Sequence, residues 1–209
     1  MEIKDAIRQR RSINFFEPGI ELSSDKIREL IELASLAPSS MNLQPWKVVV
    51  VNDPEKKKVL RKCAFDQPKV EEASLVLIMV ADPAGVEENI DPALDSWIEL
   101  GFMKPEMKEN YKGMAAALYG TLDSLQRKVF AVKNTSLFAM NLMLAAKGMG
   151  LETHPMDGFD QDAVKKEFNI PEDKIIPMLI AVGQLKKGIT LLPRAFRRDF
   201  DSIVHLNSY

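Results

Sequence analysis

The sequence predicts a single domain of three layers, with helices packed around a small β-sheet. Three short segments, residues 46–51, 75–81 and 175–182, are apolar almost throughout, as is typical of buried β-strands. The segments between them place apolar residues at helical spacing. The chain has 209 residues and contains no internal repeat, low-complexity tract or evident linker, so we expect one domain with its own core.

Helices are predicted on both sides of the first strand. Residues 3–7 carry a short apolar face. Residues 24–34 begin with Ser-Asp, which favours a helix N-terminus, and continue with apolar side chains at i, i+3, i+4 and i+7 until Pro38 stops the helix. After the strand, Asp53–Pro54 supplies an N-cap and a first helical residue for a further short helix.

The second half of the chain is predicted to be mainly helical up to the third strand. Residues 86–130 are helical but less regular, whereas residues 135–147 are apolar nearly all round and should be buried on all sides. Gly148 and Gly150 end that helix. Asp160 caps another helix, which continues to about residue 169.

The C-terminal arm, about residues 184–209, carries large apolar residues with little helical periodicity. An arm of this composition would be a liability if it were free in water. It could dock on its own domain or on a second subunit. We favour the second subunit, because symmetric dimers are the commonest soluble oligomers and exchanged arms occur often in them.

The composition excludes several classes of function. A formal charge of −2 provides no global basic field for nucleic acid and no polybasic membrane arm. The single cysteine, Cys63, excludes an intrachain disulfide. The N-terminus lacks the apolar stretch of a signal peptide, and the longest apolar run, residues 137–146, is too short to span a bilayer. We therefore expect a cytoplasmic protein with no nucleic-acid or membrane partner.

Motifs of common enzyme classes are missing from the sequence. There is no GxGxxG after a strand, no P-loop and no Gly-x-Ser-x-Gly elbow. His154 and His205 lie far apart and, with one cysteine, make a poor metal set, so no metal site is predicted. No catalytic side chain is predicted either, and a bound cofactor is the expected source of any chemistry.

Two basic clusters are candidate phosphate sites. Arg10, Arg11 and Ser12 follow the first helix, and Arg194 and Arg197 lie in the arm. Guanidinium groups hold phosphate through charge-assisted, often bidentate hydrogen bonds. Taken alone, each cluster is also typical of an ordinary solvated surface.

Two polar segments are candidate ligand loops. Residues 37–46 form a long turn between a helix and a buried strand, with hydroxyl and carboxamide groups at a sheet edge. Residues 153–160 lie between two helices, and Gly158 there permits a backbone geometry that turns an N–H outward. The residue types in both segments also favour simple turns.

Taken together and in this order, these segments resemble the FMN-dependent nitroreductase family. The most specific strings are Pro-Ser-Ser-x-Asn-x-Gln-Pro-Trp at residues 38–46 and Pro-Met-Asp-Gly-Phe-Asp at residues 155–160. Residues 65–69, residues 133–135 at the expected start of the apolar helix, and the basic arm add to the match, which covers essentially the whole chain.

The resemblance implies an α+β fold, a three-layer α/β/α sandwich, in an arm-exchanged homodimer with two tightly bound FMN molecules at the interface. The residues implied to contact FMN are Arg10, Arg11, Ser12, Asn14, Pro38, Ser39, Ser40, Asn42, Asp66, Gln67, Lys69, Asn134, Pro155, Met156, Asp157, Gly158, Arg194 and Arg197.

The resemblance also implies a role for each group. Arg10, Arg11 and Ser12 hold the phosphate and ribityl chain with a tail arginine, Arg197 first and Arg194 second. The loop residues 38–42 come from the partner subunit.

The remaining implied contacts are with the ring. Gln67 and Lys69 meet its polar edge, and the cation of Lys69 favours the reduced form. Residues 155–158 lie along the isoalloxazine, with a backbone N–H from Asp157 or Gly158 directed at N5.

Three positions depart from the family pattern. Asn14 stands where arginine or lysine is common, which weakens phosphate binding or shifts it to the tail. Asp66 stands where asparagine is usual, and its charge opposes an anionic flavin. Asp157 replaces the commoner glutamate, so that its backbone is a better candidate than its side chain.

The function implied by the resemblance is ping-pong hydride transfer from NADH or NADPH to a small oxidised molecule such as a nitroaromatic, a quinone or an enone. Three alternatives remain open from the sequence. They are another flavin reaction on the same fold, such as dehalogenation or dehydrogenation, a non-catalytic flavin-binding redox sensor, and a structural dimer without a cofactor.

Overall fold

The computed structural model describes residues 1–209 and contains eight helices and four strands. The helices are α1 (Ile3–Gln9), α2 (Ser24–Ser35), α3 (Pro54–Cys63), α4 (Lys69–Glu72), α5 (Gly85–Glu99), α6 (Lys108–Tyr119), α7 (Leu125–Gly148) and α8 (Gln161–Glu167). The strands are β1 (Trp46–Val51), β2 (Leu75–Ala81), β3 (Glu152–Met156) and β4 (Ile175–Gly183). Single 3-10 turns occupy Ser40–Asn42 and Pro105–Met107.

The four strands form one sheet in the order β1-β2-β4-β3, and every neighbouring pair is antiparallel. All seven residues of β2 are buried, because this strand is apolar throughout and lies inside the sheet with helices on both faces. The three strands predicted from the sequence are confirmed. β1 and β3 are the two edges of the sheet, which decides where the candidate site residues lie.

Strand β3 was missed by the sequence analysis, which treated residues 153–160 as a loop. Its register places Pro155 opposite Ile180 of β4. Proline lacks an N–H and is tolerated on an edge strand, where one side of the ladder has no neighbour. A five-residue edge strand with only two buried side chains leaves a weak alternating pattern in the sequence.

Helices cover both faces of the sheet, so the predicted α+β, three-layer fold is confirmed. Side chains of β2 alternate between the faces, as the two-residue period of a strand requires. Leu75, Leu77 and Met79 point to α2 and α7, and Val76 and Ile78 point to α3, α4 and α8. A third apolar cluster joins α5, α6 and the first half of α7 at one end of the sheet.

Side-chain caps define several helix starts. Ser23 accepts a hydrogen bond from the backbone of Lys26, one residue before the predicted start of α2. Asp53 caps α3 with Pro54 at its first position, as predicted. Asp160 accepts from two backbone N–H groups at the start of α8, also as predicted.

Helix α7 begins ten residues earlier than the sequence indicated, at Leu125 instead of Thr135. The charged residues in its first turns interrupt the apolar pattern from which the helix was predicted. One of them, Arg127, is only 1% exposed and donates hydrogen bonds to the backbone carbonyls of Pro83 and Gly120 and to Glu87. Buried arginine with several partners is compatible with a core helix, so polarity was a poor guide to this boundary.

The prediction that α7 is buried on all sides does not hold within one chain. Phe138 and Leu142 are buried against the sheet, but Leu137 and Met140 are 44% and 40% exposed on the opposite side. The sequence analysis expected no apolar segment long enough to span a bilayer. Helix α7 differs from that expectation, because its 24 residues are long and apolar enough to do so. Half of the most apolar 18-residue stretch of α7 is buried inside the fold, as is typical of a core helix.

The arm after β4 contains no helix or strand beyond an isolated bridge and turns. Gly188 has a φ of +79° in the turn that begins it, a conformation that favours glycine. Leu192, Phe196 and Phe200 are at least 65% exposed in the single chain. The arm therefore leaves its apolar side chains open to water.

We expect Leu77→Ala to destabilise the protein by about 2–5 kcal/mol, because Leu77 is fully buried between β2 and α7 and its removal leaves a cavity. Leu100→Ala is the matched control, since Leu100 is 67% exposed. Urea unfolding at one fixed protein concentration measures both variants. Equal midpoints for the two variants would contradict the assigned core.

Candidate functional site

The two basic clusters meet although they lie at opposite ends of the chain. The Arg194 Nη2 atom donates to the carbonyl oxygens of Arg8 and Arg10, at 2.5 and 3.0 Å. The Arg11 Nη2 atom donates in return to the carbonyl oxygen of Pro193, at 3.4 Å. These contacts fold the start of the arm back on the end of α1 within the same chain.

The Arg10 guanidinium lies at the centre of this positive cluster. Burial lowers the pKa of Arg10, and the like charges of Arg194 and Arg197 lower it further. Glu152 is the one acidic neighbour that opposes this effect. The Nη1 atom of Arg10 is buried and has no hydrogen-bond partner. A buried, unpartnered donor among like charges is the environment that an anionic group such as a phosphate would satisfy.

The two tail arginines occupy different positions in the cluster. Arg194 contacts the backbone of the first helix directly. Arg197 donates to the carbonyl oxygens of Ala195 and Phe196 in its own segment, and its charge still acts on Arg10. Both therefore remain candidates for a phosphate contact, and the direct contacts favour Arg194 as the residue that fixes the arm.

The segment after α1 runs along the free edge of β3. Ser12 forms a bridge with Thr153, and the Ile13 N–H donates to the Thr153 carbonyl oxygen at 3.1 Å. This pairing carries Asn14 next to the end of β3. The phosphate-binding candidates and the ring-binding candidates are thereby joined along one edge of the sheet.

Lys69, at the start of α4, lies in this edge region between two neutral acceptors. Its Nζ atom donates to Asn14 Oδ1 at 2.8 Å and lies 3.2 Å from His154 Nε2. Burial lowers the pKa of Lys69. Sequence reasoning considered His154 only as a metal ligand and missed this contact, because recognising it requires strand β3.

His154 is held as a neutral imidazole. Its Nδ1 atom lies 2.9 Å from the carbonyl oxygen of Ile13. Burial, followed by repulsion from the Lys69 ammonium, lowers the pKa of His154 to about 4, against an ordinary value of 6.5, and the hydrogen bond to Ile13 only partly opposes this. The ring therefore carries no charge at neutral pH.

Residues 65–69 lie against the turn after β3. The Gln67 Nε2 atom donates to the Gly158 carbonyl oxygen at 2.7 Å, and the Asp160 N–H donates to the Cys63 carbonyl oxygen at 2.8 Å. Asp66 has a φ of +57°, and its side chain is exposed. The two segments that carried the resemblance in this region are therefore direct neighbours.

The reason for glycine at position 158 differs from the predicted one. Gly158 is not in the left-handed region, so backbone freedom is not what the position needs. A Cβ there would lie 3.2 Å from Gln67 Nε2, which is tighter than ordinary contact. Close approach of the Gln67 amide explains the glycine. Met156 points into the core, whereas Asp157 and Gly158 are exposed.

The polar loop before β1 is held in a fixed shape by its own side chains. Ser39 Oγ accepts from the Gln44 N–H at 3.0 Å, and Asn42 Oδ1 accepts from Gln44 Nε2 at 3.2 Å. Met41, Asn42 and Gln44 have φ values of +52°, +54° and +43°. Several non-glycine residues in the left-handed region indicate a strained loop of the kind often found at binding sites.

Asn134 of α7 holds this loop in place through a hydrogen bond. It lies inside α7 and is 1% exposed, and its Oδ1 atom accepts from the Ser40 N–H at 3.0 Å. The Ser40 hydroxyl lies 2.5 Å from the Tyr119 hydroxyl. Asn134 was expected at the start of a helix and instead lies in its middle, where it positions the loop. The Tyr119 ring is buried against Phe130.

Within one chain the candidate residues form two separate groups. One group lies along the β3 edge: Arg10, Arg11, Ser12, Asn14, Asp66, Gln67, Lys69, Pro155, Met156, Asp157, Gly158, Arg194 and Arg197. The other lies before β1, at the opposite edge: Pro38, Ser39, Ser40, Asn42 and Asn134. Three strand spacings, about 14 Å, separate the two edges of the sheet.

A cavity of about 480 Å³ opens beside the loop before β1. Its lining includes Asn42, Gln44, Lys47 and Glu88. The buried carboxylate of Asp82 holds Lys47 at 2.8 Å on its wall. The lining of the cavity is mainly polar and includes residues of the loop before β1.

Comparison with known proteins identifies the family. The Nitroreductase family model matches residues 7–184, and the chain therefore belongs to the nitroreductase family. This confirms the family that the sequence motifs indicated.

Several relatives match over nearly their whole length. MhqN of Bacillus subtilis, which is named as an NAD(P)H nitroreductase, is 32% identical over 203 residues, covering 97% of this chain and 98% of the relative. A Thermus thermophilus protein named NADH dehydrogenase is 33% identical over 183 residues, or 88% and 86% of the two chains. A nitroreductase structure from Exiguobacterium sibiricum in complex with FMN has a TM-score of 0.87 and 26% identity, with coverage of 98% and 97%.

We expect the folded protein to lose stability with falling pH through His154. Its pKa is lower in the folded chain than the ordinary value of 6.5, so the folded state binds fewer protons. The stabilisation is complete above about pH 6.5 and is lost as the pH falls towards 4, by about 1–2 kcal/mol for a partly exposed ring.

Urea unfolding of the cofactor-free protein between pH 7 and pH 4.5 measures this effect. His154→Gln should flatten the pH dependence relative to wild type, while His205→Asn in the exposed arm should leave it unchanged. Parallel curves for wild type and His154→Gln would show that His154 does not titrate as described.

Proposed function

We propose that the protein is an FMN-dependent oxidoreductase that accepts reducing equivalents from NADH or NADPH and passes them to small oxidised organic molecules, such as nitroaromatics, quinones or enones. The buried and unpartnered Nη1 atom of Arg10, within a cluster of four guanidiniums, is the observation that carries the proposal. The family and the FMN complex of a relative support the choice of cofactor.

The arginine cluster is proposed to hold the cofactor phosphate. Arg10, Arg11, Arg194 and Arg197 supply more positive charge than Glu152 can offset, and a phosphate would relieve their mutual repulsion. Ser12 adjoins the cluster and can donate its hydroxyl to the ribityl chain. The start of the arm would thereby contribute Arg194 and Arg197 to phosphate binding.

The end of β3 is proposed to hold the ring. Lys69 and Gln67 lie beside the turn that contains Asp157 and Gly158, whose exposed backbone can face a ligand. FMN, when bound, supplies reversible two-electron chemistry that no side chain of this protein provides. The chain itself has to bind and orient the reactants, and we assign no side chain as acid or base.

A second copy of the chain is proposed to complete each site. The loop at residues 38–42 lies at the opposite sheet edge from the arginine cluster, and a twofold axis can bring the two edges together. The exposed side chains of Leu137, Met140 and Phe196 provide apolar surface for such a partner. We therefore propose an arm-exchanged homodimer with two shared sites. As a separate point, we propose that the protein is cytoplasmic.

Anaerobic stopped-flow spectroscopy tests the proposed activity. We expect purified protein loaded with FMN to lose the visible absorbance of the oxidised flavin after mixing with NADH or NADPH, and to regain it on addition of a nitroaromatic, quinone or enone. Protein that binds FMN but leaves it oxidised with both nucleotides would instead be a redox sensor or a catalyst of another flavin reaction. Protein that takes up no FMN would contradict the proposal altogether.

Arg10→Gln should weaken FMN binding by about 10- to 100-fold, because a charge-assisted contact to phosphate is worth about 1.5–3 kcal/mol. Riboflavin, which lacks the phosphate, should bind wild type and Arg10→Gln alike. Arg28→Gln is the matched control, since the Arg28 side chain is 76% exposed on α2. Fluorescence titration measures each affinity, and an equal loss for FMN and riboflavin would refute the phosphate assignment.

A further inference from the structure

The Lys69 ammonium is held by two neutral acceptors on different segments of the chain. Asn14 Oδ1 accepts from Nζ at 2.8 Å, and His154 Nε2 lies at 3.2 Å. No acidic group raises the pKa of Lys69, and burial alone lowers it. An ammonium has three N–H donors, so that two neutral acceptors leave one donor and the full charge for another group.

The orientation of the His154 ring follows from its other contact. Nδ1 lies 2.9 Å from the Ile13 carbonyl oxygen, which can only accept a hydrogen bond. Nδ1 therefore carries the proton, and the lone pair of Nε2 faces Lys69. The Ile13 N–H is itself bound to the Thr153 carbonyl oxygen, so the peptide that orients the ring is tied to β3.

We propose that His154 is a positioning residue for the cofactor, and that its neutral ring, together with Asn14, holds the Lys69 ammonium against the polar edge of the flavin. This inference rests on the proposed function. His154 does not touch the cofactor in this account and acts only through Lys69.

The residue at position 14 fits this role. An arginine or lysine at position 14 would place a second cation beside Lys69 and repel it. Asparagine presents an acceptor to Lys69 instead. Lys69 is therefore the one cation of this pair of residues. The effect of Lys69 on the cofactor depends on how firmly its ammonium is held in place.

The reduction potential of bound FMN distinguishes positioning from a purely structural role. A fixed positive charge at the polar edge stabilises the reduced cofactor more than the oxidised one. We expect His154→Phe to weaken binding of reduced FMN relative to oxidised FMN by about tenfold, which is about 30 mV for a two-electron couple. His154→Gln, which keeps an acceptor for Lys69, should restore most of the potential.

A double-mutant cycle with Lys69→Met tests whether His154 acts through Lys69. In the Lys69→Met background, His154→Phe should leave the potential unchanged, because the cation is already missing. An equal shift in both backgrounds, or no shift in wild type, would overturn the inference while leaving the proposed function intact. Wild-type protein that binds no FMN would overturn the proposed function and this role with it.

Nitrogen-15 NMR of the cofactor-free protein provides a readout that does not depend on FMN. We expect the proton of the neutral His154 ring on Nδ1, and we expect Lys69→Met to raise the pKa of His154 because a neighbouring like charge is removed. His205→Asn assigns the second histidine signal. A proton on Nε2, or a pKa of His154 that Lys69→Met leaves unchanged, would overturn the proposed contact.

Discussion

The order of the strands separates two groups of polar residues that the sequence motifs indicate should act together. The arginine cluster and Lys69 lie along β3, whereas the loop held by Asn134 precedes β1, and β2 and β4 stand between them. One chain cannot close this distance without breaking the sheet. The proposed shared site between two copies would satisfy this constraint, and it would also cover the exposed apolar side of α7 and the apolar arm.

Electrostatics gives the β3 edge its chemical character. The contact of Arg194 with the carbonyls of Arg8 and Arg10 gathers positive charge that Glu152 alone does not balance, and Lys69 is held by neutral groups. Such an arrangement costs stability in the free protein, as unpaired charges in partly buried places do. An anionic ligand that binds these charges offsets the loss of stability. The arrangement therefore favours a cofactor with a phosphate group and a polar ring.

The sequence predicted the layers of the fold but not all of its boundaries. Strands β1, β2 and β4 were found because short, continuous apolar runs between turn residues are typical of buried strands, and caps such as Asp53 and Asp160 are local signals. β3 was missed because Pro155 and its half-exposed neighbours give little alternation. The start of α7 was missed because Arg127 is polar in the sequence and buried in the fold.

The candidate site was predictable only as a set of segments. Motif order indicated which segments matter, since each string is specific, yet the pairing of His154 with Lys69 depends on a strand that the pattern did not reveal. The reason for Gly158, the approach of the Gln67 amide, likewise depends on a contact between residues far apart in the chain. Long-range contacts of this kind leave no local trace.

Mixed dimers test the shared site most directly. One chain carries Arg10→Glu, which reverses a charge in the arginine cluster, and the other carries Pro38→Phe, which adds a ring to the exposed loop before β1. Each variant alone should bind no FMN, whereas the purified mixed dimer should bind one FMN per dimer, because one of its two sites then combines an intact cluster with an intact loop. A mixed dimer that binds no FMN, or a protein that remains monomeric, would contradict the account.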